Sequence, residues 1–420
     1  MYTIFKFGGA SIKDAEGIRN VIQIIENNRQ LKPIVVISAL GKVTNSMEQL
    51  CKAWFNQTDQ VAYWLDQIHT THEELLTDLF GVDTSGLAIY EELFRKFEHN
   101  LQAKPTSNYD FHYDQIVGWG ELFSSAIVTR FAEKSGLKAK WLHAAEIIKT
   151  DDNYRDVNVD WDATATAVNK IIPSLLAHQE IIITQGFIGQ SQTGFYTTLG
   201  REGSDYTASI LSYCLNAEKM IIWKDVDGVM NADPKQFSDA VIIPKLSYRE
   251  AIEMTYYGAK VIHPKTIKPL QNKKIALNVR SFIHPDHEGT WIVDYEQIIA
   301  YPPVKVWKQE QALISISDKS FAFIAEKQLT KIFNEFAFFR IRINMMQNSA
   351  ISFSVVVDNN ERVALLIKKL QENYQVVMNA NVWLLTIRHY TENTIAALTE
   401  GKQILLEQKS RSTAQLVIAN

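Results

Sequence analysis

Four short runs rich in Ile, Val and Phe recur along the chain: YTIFKF at 2–7, PIVVISA at 33–39, EIIITQGFIG at 180–189 and KMIIWKDV at 219–226. They are apolar without strict alternation, which is what a strand requires when both of its faces are covered. Each is bounded by Gly, Pro or polar residues, and helical patterns lie between them. The architecture that uses such runs is α/β: an open, largely parallel sheet sandwiched by helices. At 420 residues the chain is long enough for two or three domains.

Residues 46–102, with apolar spacings of three and four (Leu50, Trp54; Trp64, Leu65, Ile68), read as a helical insertion, either a lid or additional packing. Further on, IIAYPPVKVWKQE carries Pro302 and Pro303, which can continue neither a helix nor a central strand, so a linker is expected at 296–308. Beyond it the pattern changes. ALISISDKS and AISFSVVVDN alternate like half-buried strands, and AEKQLTKIFNEF places Leu329, Ile332, Phe333 and Phe336 on one helical face. The helix ERVALLIKKLQ, the strand NVWLLTIRH, a short helix and the strands QILLEQK and AQLVIAN follow. The expected division is therefore 1–295, 309–376 and a shortened second copy at 377–420, both copies being small split βαβ modules.

The balance of 43 basic and 47 acidic residues gives a net charge of -4 without blocks of one sign, which argues against nucleic-acid and membrane-surface partners. Cys51 and Cys214 are the only cysteines, and neither belongs to a zinc-type cluster, so no protein-bound metal and a reducing, cytoplasmic setting are expected. MYTIFKFGG leads straight into a strand with no export-type apolar region. P-loop and protein-kinase motifs are missing, and GWGELF at 118–123 lacks the third glycine of a dinucleotide fingerprint.

Three segments carry candidate chemistry. In TTLGREGSDYTAS at 197–209, Gly200 and Gly203 flank Arg201 and Glu202 ahead of a helical pattern, with Ser204 as the expected N-cap. Such a turn either cradles an anion on free backbone N–H groups or is an ordinary capped helix with surface charges. KFGGAS sets Lys6 near the end of the first strand and Gly8–Gly9 in the turn after it, which suits polyphosphate or simply a tight strand-to-helix turn. WKDVDGVMNADPK at 223–235 ends another strand with Asp225, Asp227 and Asp233, but its glycine is misplaced for a calcium loop. The acidic run DDNYRDVNVDWD at 151–162 fails the same test and reads as solvated loop.

In this order, KFGGAS, SALGKVTN, GWGELFSS, ITQGFIG, TTLGREGSDYTA, WKDVDGVMNADP and YGAKVIHPKT resemble the aspartate kinases, a branch of the amino-acid kinase family with C-terminal ACT-type regulatory domains. The resemblance implies transfer of the ATP γ-phosphoryl group to the side-chain carboxylate of aspartate, with Mg2+ arriving on the nucleotide. A carboxylate is already ionised at neutral pH, so the nucleophile needs no general base, and His263 is expected to be structural. The need is for positive charge around the moving phosphoryl group.

By similarity, Lys6 and Lys260 flank that group, with Asp205 between them orienting both ammonium heads. Arg201 meets the aspartate α-carboxylate, Glu121 its ammonium, and Thr44 and Ser204 add contacts. Lys6, Gly8, Gly9, Ser11, Lys224, Asp225, Met230, Lys235, Lys260 and Val261 fall where the family binds nucleotide. The resemblance also implies a homo-oligomer, a dimer or a dimer of dimers, and control by an end-product amino acid. Four positions depart from the family pattern: Ala10, Glu202, Met230 and Lys235 stand where threonine, glycine, tyrosine and arginine are usual. In lysine-sensitive relatives an acidic pair receives the effector, and Asn344 and Ala350 stand at the matching places here.

Overall fold

A computed structural model describes residues 1–420 apart from Thr84, Lys260, Val261, 296–300, Phe321 and Asn420. The chain divides into two compact units. Met1–Val229, Pro244–Ile252 and Ile262–Glu296 make the first, and Met230–Ile243, Glu253–Val261 and Gln297–Asn420 the second.

The strands of the first unit are β1 (Thr3–Phe7), β2 (Ile34–Ile37), β3 (Ala139–Leu142), β4 (Lys149–Thr150), β5 (Ile181–Gln185), β6 (Ile188–Ser191), β7 (Tyr196–Thr198), β8 (Lys219–Lys224), β9 (Lys245–Ser247), β10 (Ala276–Ser281) and β11 (Thr290–Val293). Eight of them form one sheet in the order β3-β5-β2-β1-β8-β10-β11-β9, and β4, β6 and β7 form a small sheet. Every pairing in the large sheet is parallel except β10 with β11. The four apolar runs supply its central strands, buried on both faces as expected.

The pleat sends Phe5 and Phe7 to one face and Ile4 and Lys6 to the other. On the first face the two phenylalanines meet Trp223, whose ring lies stacked 5.8 Å from Phe7 and edge-on 5.7 Å from Phe5. The insertion forms helices Val43–Phe55, Gln60–Phe80 and Ser85–Leu101. Their buried residues, among them Leu50, Trp54, Ile68, Tyr90 and Phe97, share one continuous core with the sheet, so they act as packing. The other face of β1 carries helix Gly203–Cys214.

One expected strand is interrupted. EIIITQGFIG is not continuous but breaks into β5 and β6 at Gly186 and Phe187. Phe187 takes the left-handed backbone (φ 70°), and the Gly186 N–H stays bonded to the Ile37 carbonyl at 2.9 Å. The break lets Ser204 pack directly on the Gly186 backbone, at a distance where an added Cβ would lie 2.3 Å from Ser204 Cβ and 2.6 Å from its Cα.

The second unit contains β12 (Val304–Asp318), β13 (Ile343–Asn348), β14 (Ser352–Asp358), β15 (Tyr374–Arg388), β16 (Ile404–Lys409) and β17 (Thr413–Ile418) in one antiparallel sheet ordered β13-β14-β12-β15-β17-β16. Helices Glu326–Phe338, Glu361–Gln371 and Glu392–Thr399 belong to this unit. Ile332 and Phe336 enter the core as the periodicity requires, while Phe333 stays 39% exposed against Phe353. β12 starts directly after Pro303, and β15 runs through residues 376 and 377 as one strand. Among the described residues no helix is long and apolar enough to cross a membrane.

Gly186→Ala therefore forces a methyl group into Ser204. The expected loss is about 1–3 kcal/mol, the usual cost of overpacking, measurable as a lower midpoint of urea unfolding. An unchanged midpoint contradicts the close approach.

Candidate active site

At the carboxyl ends of β1, β2, β5 and β8 the first unit opens into a cavity of about 700 Å³. Its lining includes Lys6, Gly8, Gly9, Ser11, Thr44, Glu121, Arg201, Ser204, Asp205, Lys224 and Asp225, so these expected site residues are brought together.

Lys6 reaches the cavity because the pleat of β1 points it toward helix Gly203–Cys214, where Asp205 occupies the first turn. Their side chains form an ion pair, Nζ to Oδ1 at 2.7 Å, and are only 11% and 5% exposed. Gly8 borders the same ammonium: a Cβ there would lie 3.4 Å from Lys6 Nζ. Gly9 permits a closer approach still, since its Cβ would sit 2.7 Å from the Gly41 carbonyl oxygen and 2.9 Å from that of Ala39. The Gly41 N–H in turn donates to the Gly9 carbonyl at 3.2 Å, joining the two turns that follow β1 and β2. Ser11 closes the first of these by donating its hydroxyl to the Gly8 carbonyl at 2.6 Å.

Glu121 stands in the first turn of helix Trp119–Lys134, which Gly120 allows to lie against Ala39 and Val43. Ser124 fastens that helix to the end of β2 by donating to the Ser38 carbonyl at 2.6 Å. Glu121 is 3% exposed, and its Oε2 has no hydrogen-bond partner among the described residues. Burial pushes its carboxyl up to about 8, against the smaller opposing pull of two backbone N–H groups and of Lys6. A buried acid with an unfilled oxygen, facing a cavity, is built to receive a cation.

The glycine turn differs in detail from expectation. Ser204 is not the N-cap. Gly200 (φ 75°) and Glu202 (φ 55°) both adopt left-handed backbone, the Gly203 N–H closes the turn onto the Gly200 carbonyl at 3.0 Å, and Glu202 becomes the cap. Ser204 thereby falls inside the helix, one residue ahead of Asp205. Glu202 is also tied forward, its Oε2 accepting the His263 N–H at 3.1 Å. His263 in turn caps helix Pro264–Asn272, with Nδ1 accepting the Lys265 N–H, a structural role as expected.

Residues that sequence reasoning missed complete the wall: Glu48, Tyr113, Arg155, Phe187, Trp223 and Phe282. Arg155 lies in the run read as solvated loop, which is indeed loop and largely exposed up to Asp160, yet this residue also lines the cavity. Its backbone N–H donates to Asp114 Oδ2 at 3.0 Å, its guanidinium pairs with Asp110 at 2.9 Å and lies 4.4 Å over the Tyr113 ring. Asp114 also accepts from the Thr198 N–H (2.9 Å) and hydroxyl (2.6 Å), so one buried carboxylate anchors two stretches of the wall. Burial pushes it up to about 6 even so. No motif signals Arg155, because a single arginine among loop acids has no periodicity to betray it.

Of the other expected nucleotide positions, two are not described and two belong to the second unit. Lys260 and Val261 fall outside the described residues. Met230 and Lys235 belong to the second unit, where Met230 bridges to Ile242 and the Lys235 N–H donates to Asp233 Oδ1 at 2.9 Å.

Comparison with known proteins gives a consistent result. The chain is 33% identical over 310 residues to bifunctional aspartokinase/homoserine dehydrogenase 2, chloroplastic, of Arabidopsis thaliana, covering 72% of this chain and 33% of that protein. It thus spans about a third of the length of the curated relatives it matches first. Among solved structures, E. coli aspartokinase III in complex with lysine and aspartate superposes with a TM-score of 0.84 at 23% identity, over 100% of this chain and 96% of that one. The same enzyme in complex with aspartate and ADP gives 0.82 at 23% identity and the same coverage. These likenesses establish the fold. The amino acid kinase family itself matches residues 1–281, from the first residue through the end of β10 and so through nearly all that builds the cavity, and the chain belongs to that family.

Proposed function

We propose that the chain is an ATP-dependent aspartate kinase, forming 4-phospho-L-aspartate. The carrying observation is the buried Lys6–Asp205 pair in a cavity that also presents Glu121 and Arg201. An oxygen of the aspartate side-chain carboxylate attacks the γ-phosphorus, the bond to the β,γ-bridging oxygen breaks, and ADP departs with that electron pair; no proton moves. Lys6, held by Asp205, offsets the charge that accumulates on the transferring group. Lys260 is assigned the same task from the other side.

Glu121 takes the substrate ammonium and Arg201 its α-carboxylate, with Thr44 and Ser204 as hydroxyl contacts. That combination selects an amino acid's backbone end, which a nucleoside monophosphate or carbamate acceptor does not require. The turn at Gly8, Gly9 and Ser11, with Lys224 and Asp225, is assigned to the nucleotide, along with Met230, Lys235 and Val261. Asp225 and the Ser11 hydroxyl are hard oxygen donors of the kind magnesium accepts, so the residues present fit a magnesium–ATP complex. The metal, when bound, neutralises phosphate charge.

We further assign 1–295 to catalysis, joined by the linker 296–308 to two ACT-like modules at 309–376 and 377–420, in a cytoplasmic homo-oligomer. The buried free thiols of Cys51 and Cys214 suit a reducing compartment. The modules are the place for an amino-acid effector, and Asn344 and Ala350 offer lysine no acidic partner. Titration of the activity with lysine, threonine and methionine tests this: half-inhibition by lysine at lower concentration than by the other two overturns it.

Trapping the acyl phosphate as a hydroxamate, with aspartate, ATP and magnesium, tests the activity itself; no trapped product from aspartate defeats the reading. Lys6→Ala and Asp205→Ala should each lower turnover by orders of magnitude. Glu202→Gly relaxes a left-handed backbone and loses one exposed hydrogen bond, and should stay within a few-fold of the parent. Wild-type rates in both alanine variants would falsify the assigned roles.

Glu121 supplies a pH test. Between its unfolded value of about 4.5 and its folded value of about 8, the folded chain holds a proton that the unfolded chain has released. Stability therefore falls as pH rises through that window, by an amount on the order of a few kcal/mol, and Glu121→Gln should flatten the profile. Aspartate binding at pH 7 should release a proton as the ammonium ionises Glu121, seen as a calorimetric heat that varies with buffer ionisation enthalpy. The release should vanish in Glu121→Gln, and its persistence there counts against the assignment.

A further inference from the structure

Just beyond the cavity-lining Lys224–Asp225, Asp227 lies in the loop that follows β8, and the turn His284-Pro285-Asp286-His287 follows β10. The turn is closed by the His287 N–H donating to the His284 carbonyl at 3.1 Å. It is pinned from below by Arg280, which donates to the Pro285 carbonyl at 2.6 Å and to that of His287 at 3.1 Å. Ser281 accepts the N–H groups of Ile283 and His284, both at 3.1 Å, while its hydroxyl serves Asp227. Two imidazoles are thus presented side by side, ring centroids 5.0 Å apart and 30° from parallel. Both direct Nδ1 at the same oxygen, Asp227 Oδ1, at 2.7 Å for His284 and 3.6 Å for His287.

We propose that Asp227, His284 and His287 form a binding site for a divalent cation of the zinc class. The three donor atoms lie within 4.8 Å of one another. A tetrahedral zinc with bonds of 2.0–2.2 Å holds its ligand atoms about 3.4 Å apart, so seating the ion asks His284 to swing outward by under about 1 Å. Two imidazoles and one carboxylate are borderline-soft donors that favour zinc, cobalt and nickel over magnesium. Ser281 already supplies the outer hydrogen bond that orients the carboxylate. The histidines are half exposed, which leaves water to complete the shell. The nearby Arg280 guanidinium is offset by Asp286 and Glu288 on the same turn. A bound ion would cross-link the loop after β8 to the turn after β10, stiffening the two segments that carry Asp225 and Phe282 into the cavity wall. The site is distinct from any magnesium that travels with nucleotide, and it stands whether or not the proposed acceptor is aspartate.

The test is titration of the full-length chain with Co2+ and Zn2+ alone, without nucleotide, followed by the visible ligand-field absorption of cobalt and by calorimetry for zinc. The expected result is one equivalent bound at micromolar concentration, at least tenfold weaker binding in His284→Ala and in His287→Ala, and a zinc-dependent rise in melting temperature that the double variant lacks. Binding that survives unchanged in the double variant places the metal elsewhere and overturns the proposal. So does the absence of saturable binding by the parent chain up to about millimolar metal. Because both histidines lie on an exposed turn, the variants are expected to fold, and superimposable far-ultraviolet dichroism checks it.

Discussion

A lysine and an aspartate that are both nearly buried can share a pocket only if they meet, and the Lys6–Asp205 contact at 2.7 Å is the constraint around which the first unit is organised. Removing either charge from water costs several kcal/mol, and losing one partner leaves the other uncompensated. The pleat of β1 puts Lys6 on the face opposite Phe5 and Phe7, so the residues that fasten the strand into the core also aim its ammonium. Asp205 depends on a helix that starts at Gly203, and that start depends on left-handed backbone at Gly200 and Glu202. The contact between Gly186 and Ser204 then sets how closely the helix approaches the sheet.

The two buried acids of the cavity have different neighbours. Asp205 has an ammonium in contact. Glu121, buried on the cavity wall, has the Lys6 charge as only a minor influence, so burial dominates and pushes its carboxyl up to about 8. One acid is charge-paired within the protein and holds the Lys6 ammonium in place. The other keeps an unfilled oxygen and is completed by whatever positive group enters.

The four central strands were legible because they are buried on both faces and therefore carry dense β-branched runs, whereas β3, β9 and β11 are partly exposed and carry no such run. Lys6 and Arg201 stand beside glycine turns that the sequence shows locally, whereas Asp205 and Glu121 were singled out only through the family resemblance; all four line the cavity. What escaped was set by contacts between distant segments. Arg155 is placed by Asp114, forty-one positions away, through a backbone hydrogen bond that any residue could make. The Ser204 cap failed since the sequence shows a serine before an acid, while the choice of cap was made by the backbone at Glu202. β13 passed unassigned because INMMQN is largely exposed, with Met345 its one buried residue, and so carries little apolar signal.

The same distinction between filled and unfilled groups separates Glu121 from the polar cluster of the second unit. There the Asn344 amide donates to Gln311 and to Asp358, at 2.8 and 2.9 Å, and its oxygen accepts from Lys308 at 3.0 Å. Gln311 also donates to Asp358 at 2.9 Å, and burial holds Lys308 below its usual range. Every member already has a partner, so a ligand entering here must break bonds worth about as much as those it forms. Glu121 asks for no such exchange, since its free oxygen is a cost that the folded chain bears until a cation arrives. Among the described residues, Glu121 is thus open to an entering cation, while the amide of Asn344 is held in a closed network with Gln311, Asp358 and Lys308.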